Sequence, residues 1–128
     1  MIVAIDPGKD KCGLAVMAND GAVKERRVVP RGEIVEAVIA AYRKDAPFAV
    51  VIGKSANGKA LQKELTLKGI VTTAVPEKNT TREARARYWL ENPPRGFWRL
   101  VPVSLRFPPV PVDDFAAVII GERYLAKA

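Results

Sequence analysis

The stretch Met1-Ile2-Val3-Ala4-Ile5-Asp6-Pro7-Gly8, continued by Cys12-Gly13-Leu14-Ala15-Val16-Met17, decides how the rest of the chain is read. Ile2 to Ile5 is a short apolar run closed by Asp6-Pro7-Gly8, so it reads as a buried strand entering a turn. Cys12 to Met17 is a second apolar run. Asn19-Asp20-Gly21 separates it from Ala22 to Val29, and Asp-Gly between such segments signals a hairpin. The chain therefore opens as a meander of three antiparallel strands.

Downstream the pattern changes period. Glu33 to Lys44 is amphipathic at helical spacing, with Ile34, Val35, Val38, Ile39 and Tyr42 on one face. Phe48 to Ile52 reads as a fully apolar strand. Asn57 is the expected cap of a helix over about Gly58 to Lys68, which Gly69 stops. Ile70 to Val75 is a further strand. Thr80 and Glu83 have capping-box spacing for a helix to about Leu90, ended by Pro93 and Pro94. A long proline- and arginine-rich connection, 92–111, precedes a last helix over Asp113 to Lys127, with Phe115, Ala116, Ile119, Ile120 and Tyr124 expected to face the core. Late strands alternating with helices imply parallel pairing, whereas the opening meander is antiparallel. The expected fold is α/β: a mixed five-stranded sheet with helices on both faces.

The 128 residues suit a single domain spanning 1–128. The sequence contains no histidine, which excludes Ser-His-Asp and Cys-His catalysis and His-ligated zinc. Its one cysteine, Cys12, forms no intramolecular disulfide, and a reducing, cytoplasmic compartment is the simplest expectation. No signal peptide is expected at Met1-Ile2-Val3, and no apolar run is long enough to span a bilayer.

The net charge of +7 favours a polyanionic partner. Residues 78–106 hold seven basic side chains against Glu83 and Glu91. Six of the seven are arginines, whose planar fork suits phosphate. Tyr88, Trp89, Phe97 and Trp98 lie among them, so unpaired bases have aromatic surfaces to stack on. A solvated charged face is the plainer alternative.

Three acidic positions each follow or begin an ordered element: Asp6 after the first strand, Glu77 after the last, and Asp113-Asp114 at the start of the final helix. In an open α/β sheet, sites form at the carboxyl ends of the strands. Asp6 and Glu77 are expected on one edge, with Asp113 or Asp114 brought to them by the last helix. Taken singly, Asp-Pro-Gly is a turn, Glu77 a loop acid and Asp113-Asp114 a helix cap. Taken together they suit Mg²⁺ or Mn²⁺, which take oxygen ligands. Two such ions, roughly 3.5–4 Å apart, clamp the oxygens of a phosphodiester displacement.

The quoted opening, together with Glu77-Lys78-Asn79-Thr80-Thr81 and Asp113-Asp114-Phe115-Ala116-Ala117, resembles the YqgF family of the RNase H-like superfamily, relatives of the RuvC-type Holliday junction resolvases. The motifs are Asp-x-Gly with Gly-Leu-Ala, Glu-x-x-Thr-Thr and Asp-x-x-Ala-Ala, in order over nearly the whole chain. The resemblance implies strand order 3-2-1-4-5, with strand 2 antiparallel, and metal-dependent cleavage of branched DNA or precursor ribosomal RNA. It implies that Asp6, Glu77 and Asp113 are catalytic acids and metal ligands, with Asp114 assisting. Lys54, Ser55, Arg82, Arg85, Arg95 and Arg99 are the expected nucleic-acid contacts. A junction resolvase implies a homodimer; an RNA-end processor does not. Pro7 looks more like the resolvases, and the Gly53 to Gly58 loop and the 92–111 segment depart from the family pattern.

Two other classes compete. A non-catalytic nucleic-acid-binding module requires the carboxylates to be structural. An actin-like ATPase shares the Asp6-x-Gly8 loop but needs a second domain to close over the nucleotide.

Overall fold

The structure is a computed structural model that describes residues 1–47, 49–93, 100 and 111–127. Strands β1 (Ile2–Asp6), β2 (Lys11–Met17) and β3 (Val23–Pro30) form the meander. A 3-10 turn, Arg31–Glu33, leads into α1 (Ile34–Asp45). Then come β4 (Ala49–Lys54), α2 (Ala56–Leu67), β5 (Thr73–Pro76), α3 (Thr80–Glu91) and α4 (Asp113–Lys127). The sheet order is β3-β2-β1-β4-β5. β1 runs antiparallel to β2 and parallel to β4, and β4 runs parallel to β5. The mixed five-stranded architecture and its order are those expected from the sequence. Phe48, expected in β4, lies outside the described residues, as does most of 92–111, including Arg95, Trp98 and Arg99.

β1 is apolar throughout because both of its faces are covered. Val3 and Ile5 pack with Ile34 and Val38 of α1 and Leu61 and Leu65 of α2. Ile2 and Ala4 point the other way, to Ala117, Val118 and Ile120 of α4. This is the period-2 alternation of a central strand with two buried faces. α4 is also covered by α3, through Ala84 against Phe115, Ala116 and Ile119. Covering from two sides explains why every residue from 115 to 121 is buried. The edge strand β3 carries Lys24, Glu25, Arg26 and Arg27, charges that discourage pairing with another sheet.

Local details differ from the sequence reading. On α1, Ala37 and Ala41 take sheet-facing positions, and Tyr42 is 43% exposed. The cap of α2 is Ser55 rather than Asn57: its backbone is extended, and its Oγ accepts from Gly58 N at 3.0 Å. Asn57 lies inside the first turn. Gly69 ends α2 as expected, at φ +84, with Gly69 N donating to Thr66 O and Ile70 N to Leu65 O. Those bonds hold Ile70 in the helix cap, so β5 begins only at Thr73. The capping box of α3 does not form. Asn79 sits at the cap with left-handed backbone, Thr80 Oγ1 donates to Glu77 O, and Glu83 pairs with Arg123.

Candidate active site

Because β1, β4 and β5 are parallel, their carboxyl ends share one edge, which carries Asp6, Lys54 and Pro76-Glu77. Two glycines bring the acidic groups onto it. Gly13 of β2 is the cross-strand neighbour of Asp6. A methyl group at Gly13 would lie 1.8 Å from the Asp113 carbonyl oxygen, so the first residue of α4 rests directly on this glycine. A methyl at Gly53 of β4 would lie 2.1 Å from Glu77 Oε2 and 3.0 Å from Pro7 Cδ. The Glu77 carboxylate therefore lies across the end of β4, facing Pro7. Glycine inside an apolar strand is a general signal of close backbone approach, but the sequence reading did not draw that signal from Gly13 or Gly53; the contacts emerge from the fold.

The acidic groups feel one another. Asp6 is pushed from an ordinary 3.8 to about 7, first by burial, then by the charges of Glu77 and Asp113. Asp113 is also raised, by burial and by Asp114, with Lys11 acting in the opposite sense. Asp113 Oδ2 is buried without a hydrogen-bond partner. Asp114 is committed elsewhere: its Oδ2 accepts from Arg26 Nε at 3.2 Å and its Oδ1 from Phe115 N at 2.9 Å. The same guanidinium stacks on the Phe115 ring, 4.1 Å from its centroid. The structure thus brings Asp6, Glu77 and Asp113 into one field and turns Asp114 toward β3.

The expected phosphate contacts divide. Lys54 is exposed at the end of β4, and Arg82 is exposed on the first turn of α3. Arg85 is half-buried on α3, and Ser55 Oγ is engaged as the α2 cap. Arg95 and Arg99 lie outside the described residues. Residues that the sequence did not single out are Lys11, beside Asp113, Arg26, which holds Asp114, and Arg123, which reaches the loop around Glu77.

Among the described residues, no three acidic, histidine or cysteine side chains stand together closely enough to hold one cation as they are placed. The chemistry of the donors nevertheless suits a hard divalent ion. All are carboxylate oxygens, one is an unpartnered buried oxygen, and Asp6 is pushed to about 7 by burial and by the charges of Glu77 and Asp113, which a bound cation would offset. Among the described residues no helix is long and apolar enough to cross a membrane.

No protein-family model matches the chain, and no curated protein matches it in sequence. Solved structures do resemble it over nearly its full length, two of them as follows. The Thermus thermophilus RuvC structure superposes with a TM-score of 0.56 at 17% identity, covering 99% of this chain and 96% of that one. T. thermophilus RuvC in complex with a Holliday junction substrate gives 0.55 at 18% identity, covering 98% and 94%. At such identity the likeness establishes the fold: the chain has the RNase H-like architecture of RuvC.

Proposed function

We propose that this chain is a divalent-metal-dependent endonuclease of the YqgF type, a single nuclease domain over residues 1–128 that cleaves nucleic-acid phosphodiester bonds. The observation that carries the reading is the placement of Asp6, Glu77 and Asp113 at one carboxyl edge of a RuvC-like sheet, near enough for Glu77 and Asp113 both to raise Asp6. Asp6, Glu77 and Asp113 would hold Mg²⁺ or Mn²⁺. When bound, such an ion supplies Lewis acidity toward a phosphate oxygen and lowers the pKa of water.

The chain's own residues do the rest. Lys54 and Arg82 flank the acidic edge and hold the phosphate backbone as charged donors. Arg26 withdraws Asp114 into an ion pair and so limits the negative charge that a phosphate meets there. The Gly13 contact seats the Asp113 backbone and the Gly53 contact limits where the Glu77 carboxylate lies, so metal binding would need only the side chains to draw together.

The RuvC structure with bound Holliday junction supports branched DNA as the substrate class, and the YqgF motifs add precursor ribosomal RNA. Incubation with Mn²⁺ and a labelled four-way junction, a linear duplex of the same sequence, or precursor rRNA tests the choice. Cleavage of the junction in preference to the duplex is expected. Cleavage of none of the three would remove the nuclease reading and leave a binding module.

Lys54→Ala combined with Arg82→Ala is expected to weaken nucleic-acid binding. Each lost phosphate contact lowers the salt slope by about 0.9 on a log-log plot, so the double variant should lose about 2. A slope unchanged from wild type would take this edge out of the interface.

A further inference from the structure

Glu77 is held by its backbone, and the holding group comes from the far end of α4. Arg123 Nη1 donates to Pro76 O at 3.0 Å, and Arg123 Nη2 donates to Lys78 O at 2.8 Å. These are the carbonyls on either side of Glu77. The carbonyl of Glu77 itself accepts from Thr80 N at 3.1 Å and Thr80 Oγ1 at 3.0 Å. All three consecutive carbonyls of Pro76-Glu77-Lys78 are therefore occupied. The guanidinium is in turn held by Glu83, whose Oε2 accepts from Arg123 Nη2 at 2.8 Å. The carboxylate end of Glu77 is limited by the Gly53 backbone beneath it. A residue whose flanking carbonyls are clamped and whose tip rests on a strand has little freedom left.

We infer that Arg123 is a positioning residue for the candidate site: it sets the Glu77 carboxylate through the two peptide carbonyls that flank it. The inference rests on the nuclease reading for its consequence, though not for its geometry. α4 begins with Asp113 resting on Gly13 and carries Arg123 further along the same helix. One rigid helix therefore places two of the three acids, Asp113 directly and Glu77 through the clamp. Arginine suits this work because its planar fork reaches two acceptors at once, which the single ammonium of lysine does not reproduce.

A plain structural tie between α3 and α4 is the alternative, and the protein supplies its own control. Arg87 of α3 makes a two-bond pair with Glu122 of α4, at 2.8 and 3.2 Å, beside the Arg123-Glu83 pair. Arg87→Met breaks a tie between the same two helices without touching the Glu77 loop. The experiment compares Arg123→Met, Arg123→Lys and Arg87→Met by exchange of the Thr80 amide and by Mn²⁺ affinity of the intact chain. Arg123→Met is expected to speed Thr80 exchange at least tenfold and to weaken Mn²⁺ binding about tenfold. Arg123→Lys should recover part of both, and Arg87→Met should move neither. Equal effects of Arg123→Met and Arg87→Met on both readouts would overturn the positioning role. Failure of the wild-type protein to bind Mn²⁺, with the Thr80 exchange difference intact, would instead overturn the metal-site reading that the clamp serves.

Discussion

Asp6→Asn is expected to raise the melting temperature at pH 8 and to leave it nearly unchanged near pH 4. In the folded protein the Asp6 carboxyl titrates at about 7 against an ordinary 3.8, mainly through burial and then through Glu77 and Asp113. Below about pH 4 the group is protonated in folded and unfolded chains alike. As pH rises from there toward about 7, the unfolded chain releases the proton and the folded chain retains it. Folding then binds protons, so stability falls with rising pH and the loss is complete above about 7. The shift sets an upper bound of about 4 kcal/mol on this effect. Asparagine has nearly the same shape and no charge to desolvate, so the variant escapes it. A gain on the order of 10 °C at pH 8 corresponds to a few kcal/mol in a chain of this size. Thermal melts of both proteins between pH 4 and 8 measure it. A wild-type stability that is flat over that range would show that Asp6 is not under the strain inferred from its surroundings.

Gly13→Ala should have the opposite sign and a comparable size. The added methyl would sit 1.8 Å from the Asp113 carbonyl oxygen and 2.9 Å from Asp114 N. Both atoms belong to backbone at the start of a helix buried from two sides, so neither yields by rotating a side chain. Overpacking of a core usually costs roughly 1–3 kcal/mol, and a backbone collision lies at or above the top of that range. Relief requires α4 to lift from β2, which moves Asp113 away from Asp6. Cleavage should therefore fall further than the lost stability accounts for at a temperature where the variant is still folded. Gly32→Ala is the matched control, since nothing lies within 4 Å of its added methyl; it should stay within about 0.5 kcal/mol of wild type. If Gly13→Ala melts like Gly32→Ala, α4 does not rest on β2 at this point.

The sheet was legible because its signals are local. An apolar run that ends at Asp6-Pro7-Gly8 reads as a short strand, and Asn19-Asp20-Gly21 signals the hairpin that follows, though not the register shift between Val16 and Met17 beside it. The positions of Asp6 and Glu77 at strand ends follow from the same pattern once β1, β4 and β5 are parallel. What was not legible depends on contacts between distant elements. Ser55 and Asn57 are both good caps, and the choice fell to Ser55 because its backbone is already extended as it leaves β4. Thr80 and Glu83 have the spacing of a capping box, but Glu83 is drawn to Arg123 on another helix. Asp113 and Asp114 are neighbours in sequence and differ by about 100° around the helix. Which of them meets Asp6 is decided by how α4 lands on Gly13, and Arg26 on β3 takes the other. The arginine clamp on the Glu77 loop has no sequence signature, because its donor and acceptors meet only when α4 docks beside β5.

The central claim is that Asp6, Glu77 and Asp113 form one metal-dependent centre for phosphodiester cleavage. Its most direct test is the single-turnover cleavage rate of a labelled four-way junction in Mn²⁺, for wild type, Asp6→Asn, Glu77→Gln, Asp113→Asn and Asp114→Asn. The first three variants are expected to lose at least about a hundredfold in rate while retaining a cooperative melt. Asp114→Asn, whose carboxylate is already held by Arg26, should retain most of the activity. Cleavage by Asp6→Asn at the wild-type rate would contradict the account.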